Sequence, residues 1–385
     1  MSDSLQSLLD AGVSDGSFPS AQASVWHKGA PVFRGAAGGV SRDTPFDLAS
    51  LTKAICTVPL FLRAWTDGAV NPETPLSRFR PEAPASEAGV TLGQLLGHTS
   101  GLPTWLPLFS EPIQRLPDLL SPDCTAATRF AVRAQLVDAV ARTALASQPD
   151  GAQTYGDLGF LLLGEVLAEL AGKPLDALYD ARVREPLGLG AHFHRLSGRG
   201  HDVRDPCAGN WEGLPVTGQV RPRPPAPGQG YDWAGIEPLP SRPGEVDDDN
   251  AWILDGVAGH AGLFGSAEDV ARFGQAALEE LSGAGRIAPA RLWERAVSPL
   301  PGGVHGLGFD TPSPYASSAG AHLGNSPPGA FGHLGFTGTS LWVDRGRDLV
   351  VALVTNRTAK GRDNVGIQAF RPRFHDRVVV ALGLE

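Results

Sequence analysis

Lysine is scarce in this 385-residue chain: only Lys28, Lys53, Lys173 and Lys360 occur among 32 basic residues, so the other 28 are arginine. A lysine beside a potential nucleophile therefore stands out. Cysteine is also rare. Cys56, Cys124 and Cys207 are odd in number and far apart, which excludes a disulfide framework and a paired-cysteine zinc site. Basic clusters are missing and the formal charge is -9, so neither nucleic acid nor an anionic membrane surface is an expected partner. No run approaches the roughly 18 apolar residues of a membrane span. The start, MSDSLQSLLDAG, carries an acidic residue where a secretory signal needs positive charge. These absences predict a cytoplasmic protein without a membrane span.

Hydrophobic residues make up 42% and charged residues 19%, enough apolar surface to build a core and exclude wholesale disorder. Glycine (48) and proline (33) together form about a fifth of the chain, so many turns and long loops are expected. The length fits two domains, or one carrying an insertion. Spaced leucines predict a short helix over 3–13, and Lys28-Gly29 sits at the turn of a predicted hairpin. Asp47 to Trp65 has a helical pattern with a kink expected at Pro59. Helices are expected over Val90–Gly97, Arg129–Ala146 and Tyr155–Ala171, and a proline-rich loop over 214–243. Strands are expected over 306–310 and within 338–357, with a closing helix over Ile367–Leu384. Strands at both ends of the chain imply one sheet built from both termini. The expected class is α+β: a sheet domain (1–70 and 250–385) with a mostly helical domain (71–249).

The sharpest chemical feature is Ser50-Leu51-Thr52-Lys53. Residues three apart at a helix start share one face, with Cβ atoms roughly 5–6 Å apart. A serine hydroxyl is a weak nucleophile until a neighbour takes its proton. An amine can do so if its pKa falls from about 10.4 to roughly 7–8. Four lysines give about a quarter of a Ser-x-x-Lys match by chance, so the pair needs context. Two decoys are set aside. Gly12-Val13-Ser14-Asp15-Gly16 lacks the strand and helix that a nucleophile elbow requires. His192, His194, His201 and Asp202 have no recognised zinc spacing. Asp247-Asp248-Asp249 lacks a calcium-loop pattern and reads as a solvated turn.

The context is five stretches in order: FDLASLTK (46–53), LLGHTSGLP (95–103), YGDLGFLLLGE (155–165), NAWILDGVAGHAGLFGSAEDVARF (250–273) and FGHLGFTGTSLW (331–342). Together they resemble the serine hydrolase family of class C β-lactamases, D-alanyl-D-alanine carboxypeptidases and related (family VIII) esterases, over roughly 15–360. The resemblance implies a β-lactamase/transpeptidase-like fold, an antiparallel sheet flanked by helices beside a mostly helical domain, with the site between them. It makes Ser50 the nucleophile and Lys53 its proton-handling partner. Tyr155 matches a Tyr-x-Asn motif whose phenol shuttles protons, with Asp157 standing where asparagine is usual. No lysine is followed by Thr-Gly; His333-Leu334-Gly335 fits the His-x-Gly variant, whose register makes the Phe336 and Ser50 N–H groups oxyanion donors. Phe336-Thr337-Gly338 is a competing register. His98-Thr99-Ser100-Gly101 looks like a structural turn, and His260 lies in a glycine-flanked loop near the cleft. The implied activity is metal-free and cofactor-free acyl transfer on an ester, amide or D-amino-acid peptide. The alternative is a catalytically silent member that binds acyl ligands as a sensor. The 214–243 loop is expected to border the cleft and narrow the substrate range.

Overall fold

The segment Leu349–Thr355, LVVALVT, has no polar face to offer water, and in a strand such a run is stable only when covered on both sides. The computed structural model, which describes residues 2–121, 124–197, 213–225 and 229–385, provides that cover. This segment, β10, is the central strand of a five-stranded antiparallel sheet. The other members are β1 (Ala21–His27), β2 (Ala30–Ala37), β8 (Ala330–Leu334) and β9 (Ser340–Asp344), in the order β2-β1-β10-β9-β8. Ala21 pairs with Thr355 and His27 with Leu349, so the sheet is built from both ends of the chain. Alternation sorts β10 between two apolar clusters. Leu349, Val351 and Leu353 face the N-terminal helix Ser2–Ser14 and the C-terminal helix Gly366–Leu382. Val350, Ala352 and Val354 face a larger cluster that includes the helix Ala267–Leu281. The β1–β2 turn has left-handed backbone at Lys28 (φ 52°) and Gly29 (φ 75°), the hairpin geometry that suits a right-twisted ribbon.

A smaller sheet carries the site. Its strands are β3 (Phe46–Asp47), β4 (His192–Phe193) and β7 (Leu263–Gly265), in the order β3-β7-β4. Within the proline-rich stretch, β5 (Val220–Arg221) pairs with β6 (Leu239–Pro240). Helices Leu92–Leu96, Ala126–Ala141 and Leu158–Ala171 supply much of the larger cluster. No helix among the described residues is long and apolar enough to cross a membrane.

Two expectations are corrected, and at a third position the local form of the helix is seen. Residues 306–310 form no strand: Gly308 has φ 81°, and only isolated bridges join Asp310 to His305 and Gly332. Tyr155 does not begin a helix; it lies in the loop before Leu158, where the helix starts. At Pro59 the chain adapts through a π turn over Lys53–Thr57, in which the Val58 N–H reaches the Lys53 carbonyl five residues back. Pro59 follows directly on this wider turn, at the start of the segment Val58–Thr66, so the π turn takes up the residue that cannot donate an N–H.

Candidate active site

The turn that presents Ser50 is strained and held. Strand β3 ends at Asp47, and two residues on Ala49 adopts φ 49°, a left-handed conformation that costs a non-glycine residue roughly 1–2 kcal/mol. The Asp47 carboxylate accepts the Ala49 N–H at 2.8 Å and the Asp247 N–H at 2.6 Å. From the other side, the Thr337 hydroxyl donates to the Asp47 carbonyl at 2.8 Å and the Thr339 hydroxyl to the Leu48 carbonyl at 3.0 Å. Four bonds thus fix the loop, and Ser50 emerges at the start of the helix that carries Lys53.

Lys53 is wholly buried. Its ammonium donates to Ser50 Oγ at 2.9 Å, to the Tyr155 hydroxyl at 2.9 Å and to Asp157 Oδ1 at 2.6 Å. Burial alone pulls Lys53 toward the neutral amine, but the Asp157 carboxylate, and after it Tyr155, outweigh this and hold it above the ordinary lysine range. The depressed amine pKa expected from the motif is therefore corrected: the resting group is an ammonium. The Tyr155 phenol is held above its usual value, chiefly by burial of its hydroxyl end, with Asp157 adding and Lys53 opposing.

Three imidazoles surround the Tyr155 ring: His98 at 4.7 Å, His333 at 5.8 Å and His305 at 5.9 Å between centroids. All are neutral at ordinary pH. Burial holds each below the usual histidine value, His333 down to about 3, and the Lys53 charge adds for His98 and His333. His98 has φ 59° and its Nδ1 accepts the Gly156 N–H at 3.3 Å, so the HTSG turn buttresses the tyrosine loop from behind.

Strand β8 supplies the opposite wall. His333, Leu334, Gly335 and Phe336 all line the cleft, whereas the Thr337 side chain is buried against Asp47. His333 Nδ1 bonds the Leu334 carbonyl at 2.6 Å. A Cβ at Gly335 would lie 1.9 Å from Thr339 Oγ1 and 2.6 Å from the Leu48 carbonyl, so only glycine lets this edge approach the Ser50 loop. Among the described residues neither the Ser50 nor the Phe336 backbone N–H donates a hydrogen bond. The Arg357 and Arg362 guanidiniums both lie over the Phe336 ring, at 4.5 and 4.6 Å from its centroid.

The cleft has a volume of about 640 Å³ and includes Ser50, Tyr155, Asp157 and His260 in its lining. The His260 ring is buried, with Nε2 2.9 Å from Asp248 Oδ1, while its carbonyl lies 3.5 Å from Lys53 Nζ. The acidic run is no solvated turn. Asp247 and Asp249 are buried and bonded to Arg221 and Arg223 of the proline-rich stretch, at 2.7 and 2.8 Å for Arg221 and at 3.0 Å for the Arg223 carboxylate contacts. Gln229 of that stretch lines the cleft, as expected of a bordering loop.

Of the decoys, Ser14 ends the N-terminal helix with its hydroxyl on the Asp10 carbonyl at 2.9 Å. His194 stacks on Phe264 at 4.2 Å, while His201, Asp202 and Cys207 lie outside the described residues. No group of three or more His, Cys, Asp or Glu positioned for a metal occurs among the described residues. Sequence reasoning missed Asp47 and Ala49, though an aspartate whose carboxylate takes the N–H two residues on is a known turn signature. It also missed Trp105, His305, Asp310, Arg357 and Arg371 in the cleft lining, which carry no local signal.

The Beta-lactamase family model matches residues 5–370. This chain belongs to the beta-lactamase family. Esterase EstB of Burkholderia gladioli is 30% identical to this family member over 355 residues, covering 87% of this chain and 83% of EstB. N-acetylmuramyl-L-alanine amidase of Bacillus subtilis (strain 168) is 25% identical over 337 residues, covering 82% of this chain and 68% of the amidase. Among solved structures, the D-amino acid amidase from Ochrobactrum anthropi SV3 superposes with a TM-score of 0.68 at 21% identity, over 99% of this chain and 98% of that one. The family resemblance and the β-lactamase/transpeptidase-like fold read from the motifs both hold for this beta-lactamase relative.

Proposed function

We propose that this protein is a serine hydrolase working through an acyl-enzyme. The observation that carries the reading is that one buried cation, Lys53, touches both Ser50 Oγ and the Tyr155 hydroxyl at 2.9 Å inside a cleft. Ser50 and His333 come from the sheet part (1–70 and 250–385), and Tyr155 from the helical part (71–249), so the cleft lies between the two. Ser50 Oγ attacks an ester or amide carbonyl, the Lys53–Tyr155 pair moves protons, and the Ser50 and Phe336 N–H groups receive the oxyanion. A single such donor contributes about 10²–10³ in rate. The phenol returns a proton to the leaving group, and water then releases the acyl group.

The cleft's charge narrows the substrate. Arg357 and Arg371 are buried, line the cleft and have no carboxylate within ion-pair distance among the described residues. Burial, and then Arg357, bring Arg371 down to about 9. Their guanidiniums donate to backbone carbonyls, Arg357 to Phe336 and Asn364 and Arg371 to Gly335 and Thr339, which leaves the charge itself uncompensated. A buried charge of this kind is costly, and a substrate carboxylate offsets that cost. The favoured substrate is an amide or ester bearing a carboxylate, such as a D-amino-acid peptide; the similarity to esterase EstB supports an ester.

The test is hydrolysis of a p-nitrophenyl ester, a D-amino-acid peptide and a chromogenic cephalosporin by the wild type and Ser50→Ala. We expect Ser50→Ala to lose at least about 10³-fold in kcat on every substrate turned over. Full activity in that variant overturns the assignment. A stable acyl adduct on Ser50 without turnover favours a silent acyl-binding protein instead.

A further inference from the structure

Asp157 occupies the N-cap position of the helix Leu158–Ala171, yet its carboxylate caps none of the helix N–H groups. An aspartate there ordinarily contributes about 1 kcal/mol by capping. Here the side chain turns away and bonds Lys53 Nζ at 2.6 Å, the shortest of the three side-chain contacts to that ammonium. Its own backbone N–H is fixed to the Thr104 carbonyl at 2.9 Å. The chain thus gives up a local bond to place a carboxylate against a buried amine.

The placement answers a difficulty in the acyl-transfer reading. An ammonium has no lone pair, so Lys53 cannot receive the Ser50 proton unless it releases one. Of its three polar side-chain partners, Ser50 and Tyr155 are neutral hydroxyls and only Asp157 is a carboxylate. No other nearby acid bonds Lys53: Asp248 pairs with His260, Asp247 with arginines, and Asp310 lies beside His305 at 3.6 Å. The remaining titratable groups facing the pair, His98, His305 and His333, are neutral imidazoles.

We propose that Asp157 is the terminal proton acceptor of a Ser50–Lys53–Asp157 relay; this rests on the acyl-transfer reading and adds a positioning residue to it. As Ser50 Oγ bonds to the carbonyl carbon, its O–H proton passes to Lys53 Nζ, and Nζ releases one of its own protons to Asp157 Oδ1. One O–H and one N–H bond break, one N–H and one O–H bond form, and Lys53 is an ammonium before and after. The negative charge moves from Asp157 to the developing oxyanion. When the leaving group departs, Asp157 returns a proton to Lys53, Lys53 passes one to the Tyr155 oxygen, and the Tyr155 hydroxyl gives its proton to the leaving group. The Asp157 side chain keeps 22% of its surface exposed, so the carboxylate borders the cleft's solvent.

The experiment is the pH profile of kcat/KM for a p-nitrophenyl ester in the wild type, Asp157→Asn and Asp157→Glu, with Ser50→Ala as the blank. In the relay, the asparagine variant must lose a Lys53 proton to solvent before Ser50 reacts. Its acidic limb therefore moves up by at least about one pH unit, and its neutral-pH rate falls by roughly 10²–10⁴ and recovers in alkali. Asp157→Glu keeps the limb low even if its rate drops. A limb that moves down overturns the proposal, because removing the carboxylate would then have freed Lys53 to stabilise a Tyr155 phenolate base. An unmoved limb overturns it as well. In the wild type alone, a curved proton inventory for acylation supports two protons in flight and a linear one overturns the relay. Activity surviving in Ser50→Ala defeats the acyl-transfer reading itself, so the two failures are distinguishable.

Discussion

Gly335 and Asp47 hold the two sides of the nucleophile's turn, and each offers a measurable handle. In Gly335→Ala the new methyl meets Thr339 Oγ1 at 1.9 Å and the Leu48 carbonyl at 2.6 Å. The hydroxyl can rotate away but the backbone carbonyl cannot, so the end of β8 must retreat from the Ser50 loop. A shift of about 1 Å at a reacting centre costs on the order of 10² in rate, so we expect kcat/KM to fall about 100-fold. The stability cost is about 1–3 kcal/mol, read by urea titration. Asp47 adds a pH effect. Burial, reinforced by Asp247, pushes its carboxyl up to about 7, while the Asp247 and Ala49 N–H groups pull it down. The folded value exceeds the unfolded one of about 3.9, so the native state binds this proton more tightly. Its contribution is complete below about pH 4 and is lost as pH rises through about 7. In Asp47→Asn the slope of the urea midpoint between pH 5 and 8 should therefore be shallower than in the wild type; an unchanged slope counts against the raised carboxyl.

Among the elements, the proline-rich stretch is joined to the site by charge. Arg223 bonds the Asp249 and Asp247 carboxylates, each at 3.0 Å, and all three side chains are largely buried. Removing one partner of such a cluster leaves buried charge uncompensated at a cost of roughly 3–5 kcal/mol. Local loosening of the loop can absorb part of that. For Arg223→Ala we expect KM to rise several-fold with kcat within about threefold, checked by steady-state kinetics. A fall in kcat alone would assign the arginine to the chemistry. The same contact shows which parts of the molecule were legible in the sequence. The central strand, the hairpin at Lys28-Gly29, and the Ser50–Lys53 pair with its partner Tyr155 follow from periodicity, turn chemistry and motif order. The buried aspartates were not legible, because polarity read locally predicts solvent, and Arg223 lies 26 residues before Asp249 in a stretch without periodicity. The π turn at Lys53–Thr57 was hidden for a similar reason: Pro59 announces that a helix must yield, but not how.

At the scale of the whole molecule, β10 divides the interior in two, and the division separates folding from chemistry. One cluster gathers Leu5 and Leu9 of the N-terminal helix with Phe370, Phe374 and Val378 of the C-terminal helix on one face of the sheet. The other holds Leu48, Leu51 and Ile55 around the nucleophile's loop and helix, on the opposite face. Leu9 is fully buried, so Leu9→Ala removes apolar contacts and leaves a cavity worth about 2–5 kcal/mol of stability. The cleft is reached from this layer mainly through the first turns of the C-terminal helix, where Ile367, Gln368 and Arg371 line it. If the layers are energetically separate, Leu9→Ala lowers the urea midpoint while kcat/KM of the folded protein stays within about twofold, since sites without shared partners combine additively. A tenfold loss of kcat/KM at full folding would instead mean that the packing of the N-terminal helix against the C-terminal one sets the position of Arg371. The far side of the sheet would then belong to the substrate-binding machinery.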